Sequence, residues 1–473
     1  MSKVILAGYN VDAEVLADIV KSAEGDWDLT PETLSAAYAR ISRDARPVDE
    51  LRQIARADVA KTRRQNERIV FGLGHHSVAE HAVFNFDLIN ISRLAIEYLE
   101  SHRLASYTEK SQRYIRLDSD FLIPEEWQQA GLKDELKAFI LYCFERYEVV
   151  LEKLKFNGID EKLAGEDARY MLPLAAFGQL GMTLNARSLE YMILRLAASP
   201  LKESREIASK LLEAARPIAP SLLRYMDPTP YHTERFEDTH NTLNRLMSHH
   251  PVPVPVPAPV PVPAPAPYEV ALLDFTTDGD SRILAALAQH FIGGSFSKVQ
   301  DWIDAIGDEG RLQLFNAITG KMSIHDAVPR EFEHGIMTFE VIMSAAAFAQ
   351  FKRHRMTSIT WNPYDPDLGL TVPKAITDAG LQDELLLINN KATKLANKMG
   401  MKHPATPYVW TNAHRRRVLI TLNLREMYHM SRLREDESAQ WDIRQLVGQM
   451  SELARQVFPI CAGFLGGKDQ FPK

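Results

Sequence analysis

Cysteine is nearly absent: the 473 residues hold two, Cys143 and Cys461. They lie far apart and show no CxxC or zinc-ligand spacing, which excludes a disulfide framework and fits a reducing cytoplasm. No window approaches ~18 uninterrupted apolar residues, so no membrane span is expected. The opening MSKVILAGYNVDAEVLADIV has too short an apolar run, and turns acidic too soon, for a signal peptide. No P-loop or GxGxxG follows a strand-like run, which leaves out P-loop and Rossmann nucleotide sites. His75, His76 and His81 cluster without an HExxH or a cysteine partner, so no metal is expected. Positive charge is also short. A formal net charge of −7 argues against a general nucleic-acid or anionic-membrane binder. With 45% hydrophobic and 25% charged residues, the remaining class is a soluble cytoplasmic protein with a sizeable core.

Proline is plentiful and unevenly spread. Of 26 prolines, nine alternate with Val or Ala between Pro251 and Pro267. Such a segment cannot supply a backbone ladder and defaults to polyproline II, reaching roughly 50 Å as a semi-rigid spacer. It reads as a tether, or else as a docking site for a proline-reading domain. It separates residues 1–250 from residues 268–473.

The two halves repeat one another. Glu80-His81, followed by Phe86-Asp87, answers Glu333-His334, followed by Phe339-Glu340. Each leads through an apolar helical stretch to His-Arg, His102-Arg103 and His354-Arg355. From the first histidine to the arginine is 22 residues in one half (81 to 103) and 21 in the other (334 to 355). Leu184-Asn185-Ala-Arg187 then answers Leu422-Asn423-Leu-Arg425. Three ordered matches at comparable spacing imply a tandem duplication.

Short β-branched runs open the halves at Lys3–Ala7 and Val270–Leu273, and strand-like segments follow at Phe84–Ile91 and Met337–Met343. Long amphipathic helices are expected over Leu132–Leu154 and Leu381–Met399, with closing helices over Leu201–Ala215 and Ser438–Val457. Few strands and many helices make each half α+β.

The chemistry-bearing segment of the first half runs from Ser101 to Tyr114: small hydroxyls, Glu109, Arg103 and Arg113, just past a helix. Arginine forks with serine hydroxyls and backbone N–H groups suit a phosphate; a solvated helix end is the plainer reading. The counterpart, Lys352-Arg353-His354-Arg355 through Asp365, is more basic at its front and has lost the serine and arginine of its back to Pro363 and Asp365. Each half keeps what the other lacks. His414-Arg-Arg-Arg417 is a further basic run, read here as a solvated helix face.

These motifs resemble the signature of flavin-dependent thymidylate synthases, Arg-His-Arg-x-x-Ser followed by Glu-x-Ser-x-Arg-Tyr, and the resemblance extends to the Glu-His block, to Asn-x-Arg and to the run 436–442. It implies two tandem copies of that α+β fold, helices on a small, mostly antiparallel sheet. For the nucleotide, it implies Glu109, Ser111, Arg113 and Arg169 from the first half and Gln350, Arg353 and Arg434 from the second. Pro407 stands where Arg169 would repeat, and Leu196, beside Arg195, where Arg434 would. For FAD it implies Ser42, His75, Ser77, Glu80, Asn185 and Arg187, with Arg353, His354, Arg355, Asn423 and Arg425; a helix-capping role for Ser42, and a capping or ion-pair role for the Asn-x-Arg residues, are the structural alternatives. Departures are Ser101 for the first arginine, Thr108 for an asparagine, and Ser438 for a histidine.

The reaction implied is reductive methylation of dUMP to dTMP, with methylenetetrahydrofolate as carbon donor and NADPH reducing FAD. Arg434 would stabilise negative charge developing on the uracil ring. Ser111 is assigned to the substrate, because a hydroxyl without a neighbouring base is a poor nucleophile. One composite site per chain, and a homodimer mimicking the family homotetramer, complete the expectation. The alternatives are a flavoenzyme acting on another pyrimidine nucleotide and a non-catalytic nucleotide-binding paralogue.

Overall fold

The computed structural model describes residues 2–21, 28–113, 115–116, 120–224, 226–249 and 270–470, so the proline segment lies outside the described residues. The chain divides into two compact units. The first comprises Met1–Tyr142, Pro173–Pro259 and Lys394–Val409; the second comprises Cys143–Leu172, Val260–Thr393 and Trp410–Lys473. Each unit is built mainly from one half of the sequence and contains one segment from the other half.

The first half supplies β1 (Lys3–Tyr9), β2 (Val83–Ser92), α1 (Arg93–Glu100), β3 (Ala105–Glu109), α2 (Lys133–Phe156), β4 (Phe177–Asn185), α3 (Ala186–Ala197) and α4 (Lys202–Ala215). The second supplies β5 (Val270–Phe275), β6 (Ile336–Ser344), α5 (Ala345–Phe351), β7 (Ser358–Trp361), α6 (Gln382–Met399), β8 (Arg415–Asn423), α7 (Leu424–Arg434) and α8 (Trp441–Val457). Further helices lie within residues 13–21, 32–67 and 279–319. Each sheet has four antiparallel strands in one order, β1-β2-β4-β3 and β5-β6-β8-β7. The registers correspond: Val83 pairs with Asn185 as Ile336 pairs with Asn423, and Ser106 with Thr183 as Ser358 with Thr421.

One register difference explains the unequal spacing of the repeated motifs. The β2–β4 ladder slips between Ile89 and Ile91, with Asn90 between them in the left-handed region at φ 55°, while β6–β8 pairs without a slip. The additional residue of the first half is a β-bulge, which inserts one residue without turning the strand's two faces over.

Alternation builds the cores. β2 buries Phe84, Phe86 and Leu88 and turns Asn85 and Asp87 outward; β6 buries Met337, Phe339 and Val341. Leu189, Met192 and Ile193 of α3, with Ile207 and Leu211 of α4, join the first core. Met427 and Met430 of α7, with Ile443, Leu446 and Val447 of α8, join the second. Each large apolar side chain so buried contributes about 1.5–3 kcal/mol against the entropy of ordering.

A buried acid recurs at the same place in both units. In the first unit, Ser92 caps α1 by accepting from the Ala95 amide at 2.9 Å, and its hydroxyl donates to Glu203 Oε2 at 2.6 Å. Tyr408, in the exchanged segment, donates to the same oxygen at 2.8 Å. In the second unit Ser344 caps α5, accepting from the Ala347 amide at 2.9 Å and donating to Asp442 Oδ2 at 2.5 Å. Tyr170, again in the exchanged segment, donates to that oxygen too. Glu203 and Asp442 both lie in the first turn of the closing helix, where a carboxylate also meets the favourable end of the helix dipole.

The basic run His414–Arg417 is corrected by the structure. It enters β8, not a solvated helix, and His414, Arg415 and Arg416 are buried. Arg416 lies with its guanidinium carbon 3.7 Å from the Tyr364 ring centre and 4.6 Å from that of Phe348, an arrangement favoured by cation–π attraction. Arg415 Nε donates to Thr371 Oγ1 at 2.9 Å. His414 accepts from the Thr411 amide at Nδ1, which leaves the proton on Nε2 for Asn389 Oδ1 at 3.0 Å. Burial lowers its pKa to about 3, so the ring is neutral.

The exchanged tyrosines generate a direct test. Tyr170→Phe and Tyr408→Phe each remove one donor from a buried carboxyl group, and each is expected to cost about 1–3 kcal/mol in urea unfolding. A loss below about 0.5 kcal/mol would show that the acid is held adequately without the exchanged segment.

Candidate active site

The second unit contains Gln350 on α5, the turn Arg353-His354-Arg355 after it, and Arg434 at the end of α7. The turn divides its labour: Arg353 and Arg355 are exposed, whereas His354 between them is 3% exposed. Arg434 Nε donates to His354 Nε2 at 2.9 Å, and Arg434 Nη2 donates to the backbone carbonyl oxygen of Gln350 at 3.2 Å. Nε2 therefore accepts, and the imidazole proton sits on Nδ1, 3.5 Å from Glu426 Oε1. Burial, with the Arg434 and His429 charges, holds His354 well below its ordinary pKa, and burial raises that of Glu426 despite His429, Arg425 and Arg355. The His354 ring is thus neutral and its contact with Glu426 is not an ion pair, while the guanidinium of Arg434 keeps its charge beside that neutral ring.

Asn423 and Arg425 follow β8. Asn423 caps α7, accepting from the Glu426 amide at 2.8 Å; Arg425 donates to Val328 O at 3.1 Å and lies 3.4 Å from Glu333. The first unit repeats this. Asn185 caps α3 through the Ser188 amide at 2.9 Å, and Arg187 pairs with Glu80 at 2.5 Å. The duplicated asparagines cap and the duplicated arginines form ion pairs, while Asn423, Arg425 and His429 also line a cavity of about 420 Å³.

In the first unit His75 and Ser77 are exposed and line a second cavity, of about 640 Å³, with Arg40, Arg43 and Arg68. Ser42 belongs to the turn Ile41–Arg43, and its side chain lies outside the described residues. Glu109, at the end of β3, accepts from Arg93 Nη1, with both side chains nearly buried. Ser111 Oγ accepts from the Arg113 amide at 3.1 Å. In this half His102 is buried and its pKa lowered to about 4, by desolvation first and the Arg195 charge second. Leu196, at the position of Arg434, packs into the core, and Arg195 is exposed beside Tyr191.

Arg169 is the residue whose placement the primary order conceals. It comes from the first half, yet lies in the second unit with Gln350 and Arg434. Its side chain is buried, with Nε donating to Glu166 O at 3.2 Å. The neighbouring Tyr170 stacks on Trp441 at a ring distance of 5.8 Å and accepts from Gln440 Nε2 at 2.9 Å. Trp441 Nε1 donates to Asp167 Oδ1 at 2.8 Å. Gln440 and Asp442 carry no role in the sequence reading, although both stand in the run 436–442; the structure buries both fully at the start of α8. Among the described residues, no group of three or more His, Cys, Asp or Glu is placed to hold a metal ion, and no helix is long and apolar enough to cross a membrane.

Asp442 gives a pH test. Burial raises its pKa to about 7, against the lowering effects of the Tyr170 hydrogen bond and the Arg169 charge. In the unfolded chain it titrates near ~3.9. Between these values the folded state binds more protons, so this group's contribution to stability is lost as pH rises from about 4 to about 7, by at most about 1.4 kcal/mol per pH unit. Asp442→Asn is expected to remove that slope, so thermal unfolding at pH 5 to 8 should shift in the variant's favour as pH rises. Parallel curves would contradict the assignment.

The family model described as thymidylate synthase complementing protein matches the chain twice, over residues 26–221 and 271–460. A flavin-dependent thymidylate synthase of Geobacter sulfurreducens is 31% identical over 204 residues, which are 42% of this chain and 83% of that protein. One from Pyrococcus abyssi is 38% identical over 151 residues, 30% of this chain and 59% of its own length. Among solved structures, the flavin-dependent thymidylate synthase of Helicobacter pylori complexed with FAD and dUMP aligns at 22% identity over 50% of this chain and 98% of its own, with a TM-score of 0.31. The two family matches fall on the two halves that carry the repeated sheets and the repeated Asn-x-Arg caps, and the chain belongs to the flavin-dependent thymidylate synthase family as a tandem duplicate.

Proposed function

We propose that this protein is an FAD-dependent thymidylate synthase that converts dUMP to dTMP, with methylenetetrahydrofolate as carbon donor and NADPH as reductant. The observation that carries the reading is the constellation of Arg434, His354 and Gln350 in one unit with Arg169, the arginine that only the first half retains. The reducing power is what a bound flavin supplies; the chain's own residues bind, orient and stabilise charge. The donor sets fit such a dinucleotide. Asn423 and Arg425 in one cavity, and His75 and Ser77 beside three arginines in the other, offer hydrogen-bond donors and positive charge suited to a pyrophosphate.

In this reading Arg434 faces the negative charge that develops on the pyrimidine. Its guanidinium is fixed by the neutral His354 ring and by the backbone carbonyl of Gln350, so its orientation is set before substrate arrives. Arg169, Arg353 and Gln350 bind the nucleotide together with Glu109, Ser111 and Arg113. That one site draws on both sets rests on the complementary losses in the sequence. Two chains pairing would then carry two such sites.

The test is turnover with FAD-loaded protein, dUMP, methylenetetrahydrofolate and NADPH, together with titration of dUMP sites per chain. Formation of dTMP and one dUMP per chain are expected; protein that binds FAD and dUMP but forms no dTMP would exclude the synthase reading. Arg434→Ala is expected to lower kcat by about 10²–10³-fold with a smaller effect on dUMP affinity. Arg113→Ala and Arg353→Ala are each expected to abolish dUMP binding, and retention of binding in either would refute the composite site.

A further inference from the structure

A polar relay in the second unit ends on Gln350, and its direction is fixed by chemistry. It begins at Ser344, whose oxygen accepts from the Ala347 amide and whose single O–H goes to Asp442 Oδ2. Tyr170 spends its one O–H on the same oxygen, so towards Gln440 it can only accept, and Gln440 Nε2 donates to it at 2.9 Å. The amide of Gln440 thereby presents Oε1 to Gln350, which meets it with Nε2 at 2.9 Å. The second N–H of Gln350 goes to Ala346 O at 3.3 Å. Both donors of Gln350 are used within the protein. Its Oε1 accepts no hydrogen bond among the described residues, and the side chain is only half-buried.

The first unit shows that the fold does not require this relay. The Ser–acid–Tyr anchor recurs there intact, as Ser92, Glu203 and Tyr408. Yet Leu201 immediately precedes α4 where Gln440 precedes α8, and Tyr98 stands four residues before His102 as Gln350 stands four before His354. The two glutamines occur only in the unit that also contains Arg169 and Arg434.

We propose that Gln440 is a positioning residue that fixes which end of the Gln350 amide the nucleotide meets, presenting the carbonyl oxygen alone. Gln350 then selects a hydrogen-bond donor on the nucleotide, an imide N3–H of the base or a sugar 3′-hydroxyl, and disfavours phosphate oxygens. Without Gln440 the amide turns over and offers N–H as readily as C=O. This inference rests on the function proposed above, specifically on Gln350 facing the nucleotide.

The experiment is calorimetric titration of the FAD-loaded full chain with dUMP, with dCMP, whose N3 is an acceptor, and with the 3′-deoxy analogue of dUMP. The wild type is expected to prefer dUMP by about tenfold or more in the base arm or the sugar arm, which identifies the donor. Gln440→Leu, the residue of the first half, should narrow that ratio several-fold, and Gln350→Met should remove it. In a Gln350→Met background, adding Gln440→Leu should change the ratio no further, an outcome that a merely structural Gln440 would not produce. Should Gln440→Leu fail to fold, Gln440→Met, closer in length and likewise without an amide, takes its place and should narrow the ratio in the same way. Discrimination that is absent from the wild type, or unchanged in these variants, overturns the inference while leaving dUMP as substrate. Wild-type protein that takes up no dUMP overturns the proposed function and this inference together.

Discussion

Each unit is organised around a buried carboxyl group. Glu203 in one and Asp442 in the other accept from a serine that caps a helix and from a tyrosine that arrives from the other half of the sequence. A buried acid is costly unless its oxygens are satisfied, so the serine and tyrosine are obligatory partners. The consequences run outward from that point. The capped helix α5 carries Gln350 and leads into Arg353-His354-Arg355; the exchanged tyrosine follows Arg169 directly in the chain. One satisfied acid thereby places residues from both halves in the second unit.

Duplication is usually seen as two copies free to drift. Here the parts that drifted and the parts that held are separated by physical role. The strand order, the asparagine caps and the buried acids recur in both halves, because each satisfies backbone or buried polar groups that any version of the fold must satisfy. Arg169 against Pro407, Arg434 against Leu196 and Gln440 against Leu201 differ, and none of the three replacements leaves the fold's own anchors unmet. Stability accounts for the symmetry, and the departures from it fall at positions that the fold's own anchors do not use.

Much of this was legible in the sequence. Alternation located the long strands, i, i+3, i+4 periodicity located the long helices, and the spacing of Glu-His, His-Arg and Asn-x-Arg exposed the repeat. What stayed hidden has physical reasons. A count of residues cannot tell a bulge at Asn90 from a longer loop. Hydropathy treats Arg415 and Arg416 as water-seeking, whereas a hydroxyl partner and two aromatic faces let them be buried in β8. The exchange of residues 143–172 and 394–409 leaves no local pattern, since its signal is a pairing of Tyr170 with Asp442 across 272 positions.

That exchange also dictates an order of events during synthesis. Tyr408 and Ala405 complete the first unit, satisfying Glu203 and the Trp127 indole, but they emerge from the ribosome long after the strands they serve. The N-terminal half must therefore wait, with these two polar anchors missing, until most of the second half exists. Contacts so distant in sequence slow folding and lengthen the life of incomplete states.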